Sequence, residues 1–138
     1  MTTVIRSVEG LECVYCGDVA KDRDHVVPQS LVAEESKTWH SDRVVPACHD
    51  CNGALHNKVL LTIAERASWL AKRLKRKYDK LSIKAWTEDE LQELGPTLRA
   101  FAKSQESRRY ILAQRLHRCE AVAKLTHLTP QAYWDNLS

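Results

Sequence analysis

From residue 60 onward, apolar side chains return every three or four positions. Leu60, Ile63, Ala64, Ala67, Leu70, Leu74 and Tyr78 mark one face of a helix whose other face carries Lys and Arg. A second helical pattern runs through Leu98, Phe101, Ala102, Leu112, Leu116, Cys119 and Ala123, and spacing alone does not decide whether residues 104–107 divide it. Between the two, Thr87-Glu-Asp-Glu90 is a capping box that predicts a short helix over 88–94, stopped by Gly95-Pro96. Thr129-Pro130 starts a final turn, with Tyr133 and Trp134 as packing anchors.

The first sixty residues lack this period. Val4, Ile5 and Val8 give residues 2–9 a short strand or an irregular arm. Residues 20–28 read as a strand ended by Pro28, and 43–47 as a second strand that Pro46 confines to a sheet edge. Residues 29–41 form a long connection with a helical turn at 30–35, packed down by Trp39, and a helix begins at His49. No internal repeat or low-complexity linker is visible. The predicted class is α+β, with a small core over 1–60 and a helical region over 61–138.

The chemistry concentrates in the core. Cys13/Cys16 and Cys48/Cys51 are two Cys-x-x-Cys pairs, and four thiolates so grouped match the tetrahedral ligand set of a structural Zn²⁺. Gly17 follows the first pair, where such a turn needs a positive φ. Asp24 and His25 lie between the pairs, and a loop-stapling ion requires neither. That placement predicts a catalytic site built on a zinc scaffold. A neutral imidazole takes a proton from water near neutral pH, so His25 is the candidate general base. Cys119, in a helical pattern, reads as a small buried apolar residue.

Composition adds less. At 138 residues, with 43% hydrophobic and 28% charged positions, the chain suits one soluble domain, or a small domain with an extension. No apolar run spans a membrane, and residues 1–10 lack a signal-peptide core, so a cytoplasmic location with reduced cysteines is expected. The net charge of +3 says little about partners, but its distribution says more. Arg66, Lys72, Arg73, Lys75, Arg76, Lys77 and Lys80 crowd one segment, either as a phosphate-binding face or as a solvated one balanced by Glu88, Asp89, Glu90 and Glu93.

Three motifs in order, CVYCG, RDHVVP and VVPACHDCN, resemble the HNH endonucleases with a ββα-metal fold, in the form stapled by two zinc knuckles. The resemblance covers about the first sixty residues. It implies a divalent-metal-dependent DNA endonuclease or nickase that leaves a 5′ phosphate, with His25 facing the attacking water. By the same resemblance Asp24 and Asn52 hold Mg²⁺, Mn²⁺ or Ni²⁺. His56, four residues beyond Asn52, is either a third ligand favouring a transition metal or an exposed residue near phosphate. One such site cuts one strand at a time, so double-strand cleavage needs a homodimer or two encounters. The family is common in phage and mobile elements, which makes a phage or bacterial protein partner for residues 61–138 an expectation too.

Arg43 departs from the family, which carries an Asn there to orient the histidine. Arg43 has donors only, so a backbone carbonyl, Asp42 or His40 takes over that role, or Arg43 contacts the scissile phosphate. Arg23, His49, Lys58, Lys72, Arg73 and Arg76 are weaker candidates for DNA-backbone contact. Trp69 and Trp86 either stack on bases or fill the core. Two other readings stand beside the nuclease: a non-catalytic zinc-knuckle module that binds nucleic acid, and an adaptor in a phage packaging assembly docking through its helices.

Overall fold

The computed structural model describes residues 2–27, 39–82 and 86–137. Among them the fold is α+β, a two-stranded antiparallel sheet followed by five helices. Strand β1 (Asp22–His25) pairs with β2 (Val44–Ala47), setting Asp24 opposite Val45 and His25 opposite Val44. Both strands are shorter than the sequence predicts. The end of the first at Pro28 and the helical turn at 30–35 lie outside the described residues. Pro46 sits opposite Arg23, and its carbonyl accepts from the Val14 N–H at 2.9 Å, so its backbone polar groups face away from β1 and the missing N–H costs no ladder bond.

Helix α1 (His49–Leu55) follows β2 directly. Its N-cap is Cys48, whose Sγ accepts from the Cys51 N–H at 3.3 Å, so one thiol serves both the helix and the cysteine cluster. Helix α2 (Ile63–Ser82) buries the predicted stripe, with Ile63, Ala67, Leu70 and Leu74 closed to solvent. Helix α3 (Glu88–Glu93) has the expected cap, Thr87 Oγ1 accepting from the Glu90 N–H at 3.1 Å. Gly95 then caps α4 (Pro96–Ala123), with Pro at its first turn, and residues 104–107 do not interrupt it. Helix α5 (Pro130–Leu137) returns to the sheet, where Trp134 Nε1 donates to the Val44 carbonyl at 2.8 Å.

One apolar cluster runs through both halves of the chain. Cys13, Tyr15, Val26, Val45, Cys51 and Leu55 of the first part pack with Ile63, Leu70, Leu74, Cys119 and Val122 of the helices. Cys119 is buried there, as its helical spacing predicts. No helix among the described residues is long and apolar enough to cross a membrane.

Candidate functional site

The two Cys-x-x-Cys turns converge. Cys13 N–H donates to the Asp18 carbonyl at 2.6 Å and Gly17 N–H to the Cys13 carbonyl at 3.0 Å, closing a turn that Gly17 completes at φ +81°. The second pair lies at the start of α1. All four sulfurs are buried and lie within 4.8 Å of one another, with Cys16 and Cys48 Sγ 3.6 Å apart. A tetrahedral zinc with bonds near 2.3 Å needs sulfurs about 3.8 Å apart, so the cluster fits the ion. Hydrogen bonding with Cys13 pulls the Cys16 thiol far down and Cys48 down to about 7. The same sharing pushes Cys13 and Cys51 up. Zinc would replace these shared protons, which couples its binding to deprotonation.

Arg115, on α4, closes over this cluster. Its Nη2 donates to Asp50 Oδ2 at 2.8 Å and lies 3.6 Å from Cys51 Sγ and 3.9 Å from Cys48 Sγ. Arg73 of α2 reaches the same carboxylate at 3.1 and 3.3 Å. A zinc bound by four thiolates carries net negative charge, and Arg115 sits where that charge would be felt. No local pattern points to it, because α4 joins the cysteines only through tertiary packing.

A second site lies on the far side of α1. A cavity of about 520 Å³ is lined by Arg23, Asp24, His25, Asn52, His56 and Lys58, among others. It thus gathers Asp24, His25, Asn52 and His56 from separate elements. His25 Nε2 is shielded from solvent and has no hydrogen-bond partner among the described residues. Burial lowers the His25 pKa below its ordinary value, with Arg66, Arg23 and Arg43 acting in the same direction and Asp24 opposing. The imidazole is therefore neutral at neutral pH, the form a base requires.

Asp24 has another partner. It is 2% exposed, and Arg66 of α2 grips it with Nη2 on Oδ1 at 2.6 Å and Nε on Oδ2 at 2.8 Å. Tyr15 donates its hydroxyl to Oδ2 at 2.5 Å, and Arg66 Nη1 holds the Leu60 carbonyl at 2.8 Å. Burial and the Asp24 charge push the Tyr15 phenol well above its usual pKa. Burial opposes the Arg66 charge, yet the Asp24 hydrogen bonds outweigh it and raise the guanidinium. Arg66, read from sequence as part of a basic helix face, is instead 3% exposed and fixes β1 to α2.

No family model, curated protein or solved structure matches this chain.

The remaining candidates separate into groups. Asn52 Nδ2 donates to Asp22 Oδ2 at 3.1 Å, and His49 Nδ1 lies 3.0 Å from the same oxygen, its side chain 88% exposed. Asp22 is thus a neighbour of the motif helix that sequence reasoning did not single out. His56 is exposed, and Lys58 Nζ lies 5.0 Å from the centre of the Trp69 ring. Arg23 stacks at 3.9 Å on Trp39 and donates to the Arg6 carbonyl. Arg43 pairs with Asp42 at 3.3 Å. Lys72 and Arg76 are exposed on α2, and Arg73 is held by Asp50.

A catalytic cation on Asp24, Asn52 and His56 does not fit this arrangement as it stands. A guanidinium occupies both Asp24 oxygens, where a dication would need at least one lone pair free of positive charge. The cysteines form the only cluster of three or more His, Cys, Asp or Glu ligand atoms within 4.8 Å among the described residues.

Proposed function

We propose that this chain is an HNH-type DNA phosphodiesterase, an endonuclease or nickase, in which a zinc-stapled ββα unit presents His25 as general base. The observation that carries the reading is His25 Nε2, buried and without a hydrogen-bond partner among the described residues, in the wall of a cavity that Arg23 and Lys58 make cationic. A buried polar atom left unpaired calls for an explanation, and a proton to be taken from a substrate water supplies one. Water attacks phosphorus, its proton passes to His25, and the bond to the 3′ oxygen breaks, that oxygen taking a proton from solvent to leave a 3′ hydroxyl and a 5′ phosphate. Arg23 and Lys58 would attract the backbone and hold a phosphate against the imidazole.

The Asp24–Arg66 pair favours a second reading, a zinc-knuckle module that binds nucleic acid without cutting it. In that case Asp24 serves only to fasten β1 to α2. Supercoiled-plasmid nicking by the zinc-loaded protein, with Mg²⁺, Mn²⁺ or Ni²⁺ and without added metal, separates the two. Nicking that disappears in His25→Ala supports the nuclease. DNA binding with no nicking under any condition supports the binding module.

A further inference from the structure

Helices α2 and α4 run antiparallel along a groove that the motif residues do not use. Arg73 and Arg115 meet at its inner end, both on Asp50. Lys77, Lys80 and Leu81 of α2 and Arg108, Ile111 and Leu112 of α4 continue it outward, around a cavity of about 440 Å³. Among the described residues Asp50 is the only acid lining the cavity, and two arginines already share it. Lys77, Lys80 and Arg108 are exposed and make no ion pair among the described residues. Elsewhere on α2, Lys75 is neutralised by Asp79 at 2.7 Å. Lys77, Lys80 and Arg108 therefore give this groove unbalanced positive charge, while Lys72 and Arg76, exposed on the same helix α2, do not line it.

We propose that the groove is a second binding site for the phosphate backbone of duplex DNA, distinct from the His25 cavity and resting on the reading of the chain as a DNA-acting protein. Helix α1 stands between the two sites, with Asn52 and His56 lining one and Asp50 the other. Arg108 and Arg115 are seven residues apart on one helix, about 10 Å along its axis, and Lys77 and Lys80 are about 4.5 Å apart. One DNA strand advances roughly 3.4 Å per charge, so the groove spans about three phosphates of one strand. Ile111, 54% exposed, gives the sugar edge an apolar contact. As the one strongly exposed apolar side chain lining the groove, it is too little for insertion into a lipid surface. DNA held here would be anchored by the helical extension while the phosphate beside His25 is presented for reaction.

The test is the salt dependence of binding to a fluorescein-labelled duplex, for wild type and Lys77→Gln/Lys80→Gln/Arg108→Gln, each checked for zinc content and helicity. Each lost phosphate contact flattens the slope of log K against log salt by about 0.9, so the triple variant should lose about 2.7. If the triple variant does not fold, the three single variants should each flatten the slope by about 0.9. A wild-type slope in the charge variants, with DNA still bound, overturns the groove and leaves the His25 reading standing. Failure of the wild type to bind DNA overturns both. A poly-glutamate peptide that binds the groove while duplex does not would assign it to an acidic protein and overturn the DNA proposal.

Discussion

Arg66→Met tests how the site is held together. Asp24 is 2% exposed and keeps only the Tyr15 hydroxyl once the guanidinium is gone. Removing one partner of a buried ion pair leaves an uncompensated charge and costs about 3–5 kcal/mol. Against a total stability of roughly 5–15 kcal/mol, that is a large fraction. With a urea m-value of about 2 kcal/mol/M, the midpoint should fall by about 2 M. Replacing both partners, as Asp24→Leu/Arg66→Met, removes the stranded charge and should restore roughly half of the loss. What remains is the Tyr15 hydroxyl without its acceptor, about 1–3 kcal/mol. Urea unfolding of zinc-loaded proteins, followed by far-ultraviolet circular dichroism, measures both. A midpoint shift under about 0.5 M for Arg66→Met, or a double variant costing the sum of the singles, would refute the buried clamp.

Other outcomes follow from the same geometry. Cys48→Ser removes one of the four thiolates while its hydroxyl can still cap the Cys51 N–H, so it should abolish zinc retention and cooperative unfolding through the metal alone; native-like dichroism in zinc-free variant protein would contradict this. Tyr15→Phe should cost about 1.5–3 kcal/mol, the worth of a hydrogen bond to a charged group, read from the urea midpoint. Arg115→Gln should speed zinc transfer to a chelator, because its guanidinium no longer offsets the thiolate charge; an unchanged rate would show that Arg115 serves only Asp50. His25 is depressed below its ordinary 6.5, so its neutral form already dominates at pH 6.5, and DNA cleavage should plateau by that pH and fall below it. The unfolded chain takes up that proton more readily, so the stability tied to neutral His25 is present above pH 6.5 and fades as pH falls through the lower folded value. A rate still rising well above pH 7 would assign the base to another group.

What was legible in the sequence depended on locality. Helix α2, the Thr87 cap and the stop of α3 before Gly95-Pro96 follow from periodicity and from hydrogen bonds between near neighbours, and the structure has them. The cysteine cluster was readable because two short turns, each fixed by its own spacing, need only meet. Arg66 was misread because a cation in a helix of lysines and arginines looks solvated until a carboxylate 42 residues away is seen to face it. Asp22 and Arg115 gave no signal for the same reason. Their roles depend on how β1 meets α1 and how α4 crosses the knuckle, neither of which is written in a local pattern. Of the connection expected over 29–41, residues 29–38 lie outside the described residues, and Trp39 and Ser41 hold the N-terminal arm, the Trp39 carbonyl accepting from Ile5 N–H and Ser41 N–H donating to the Thr3 carbonyl.

The central claim is that His25 takes a proton from the attacking water. Single-turnover cleavage of an end-labelled duplex by zinc-loaded wild type and His25→Ala, each with and without added imidazole, tests it most directly. General-base catalysis contributes about 10²- to 10⁴-fold, so the variant should lose that much, and free imidazole entering the vacated cavity should restore part of it. Cleavage by the variant at the wild-type rate, or a loss that imidazole does not reverse, would contradict the account.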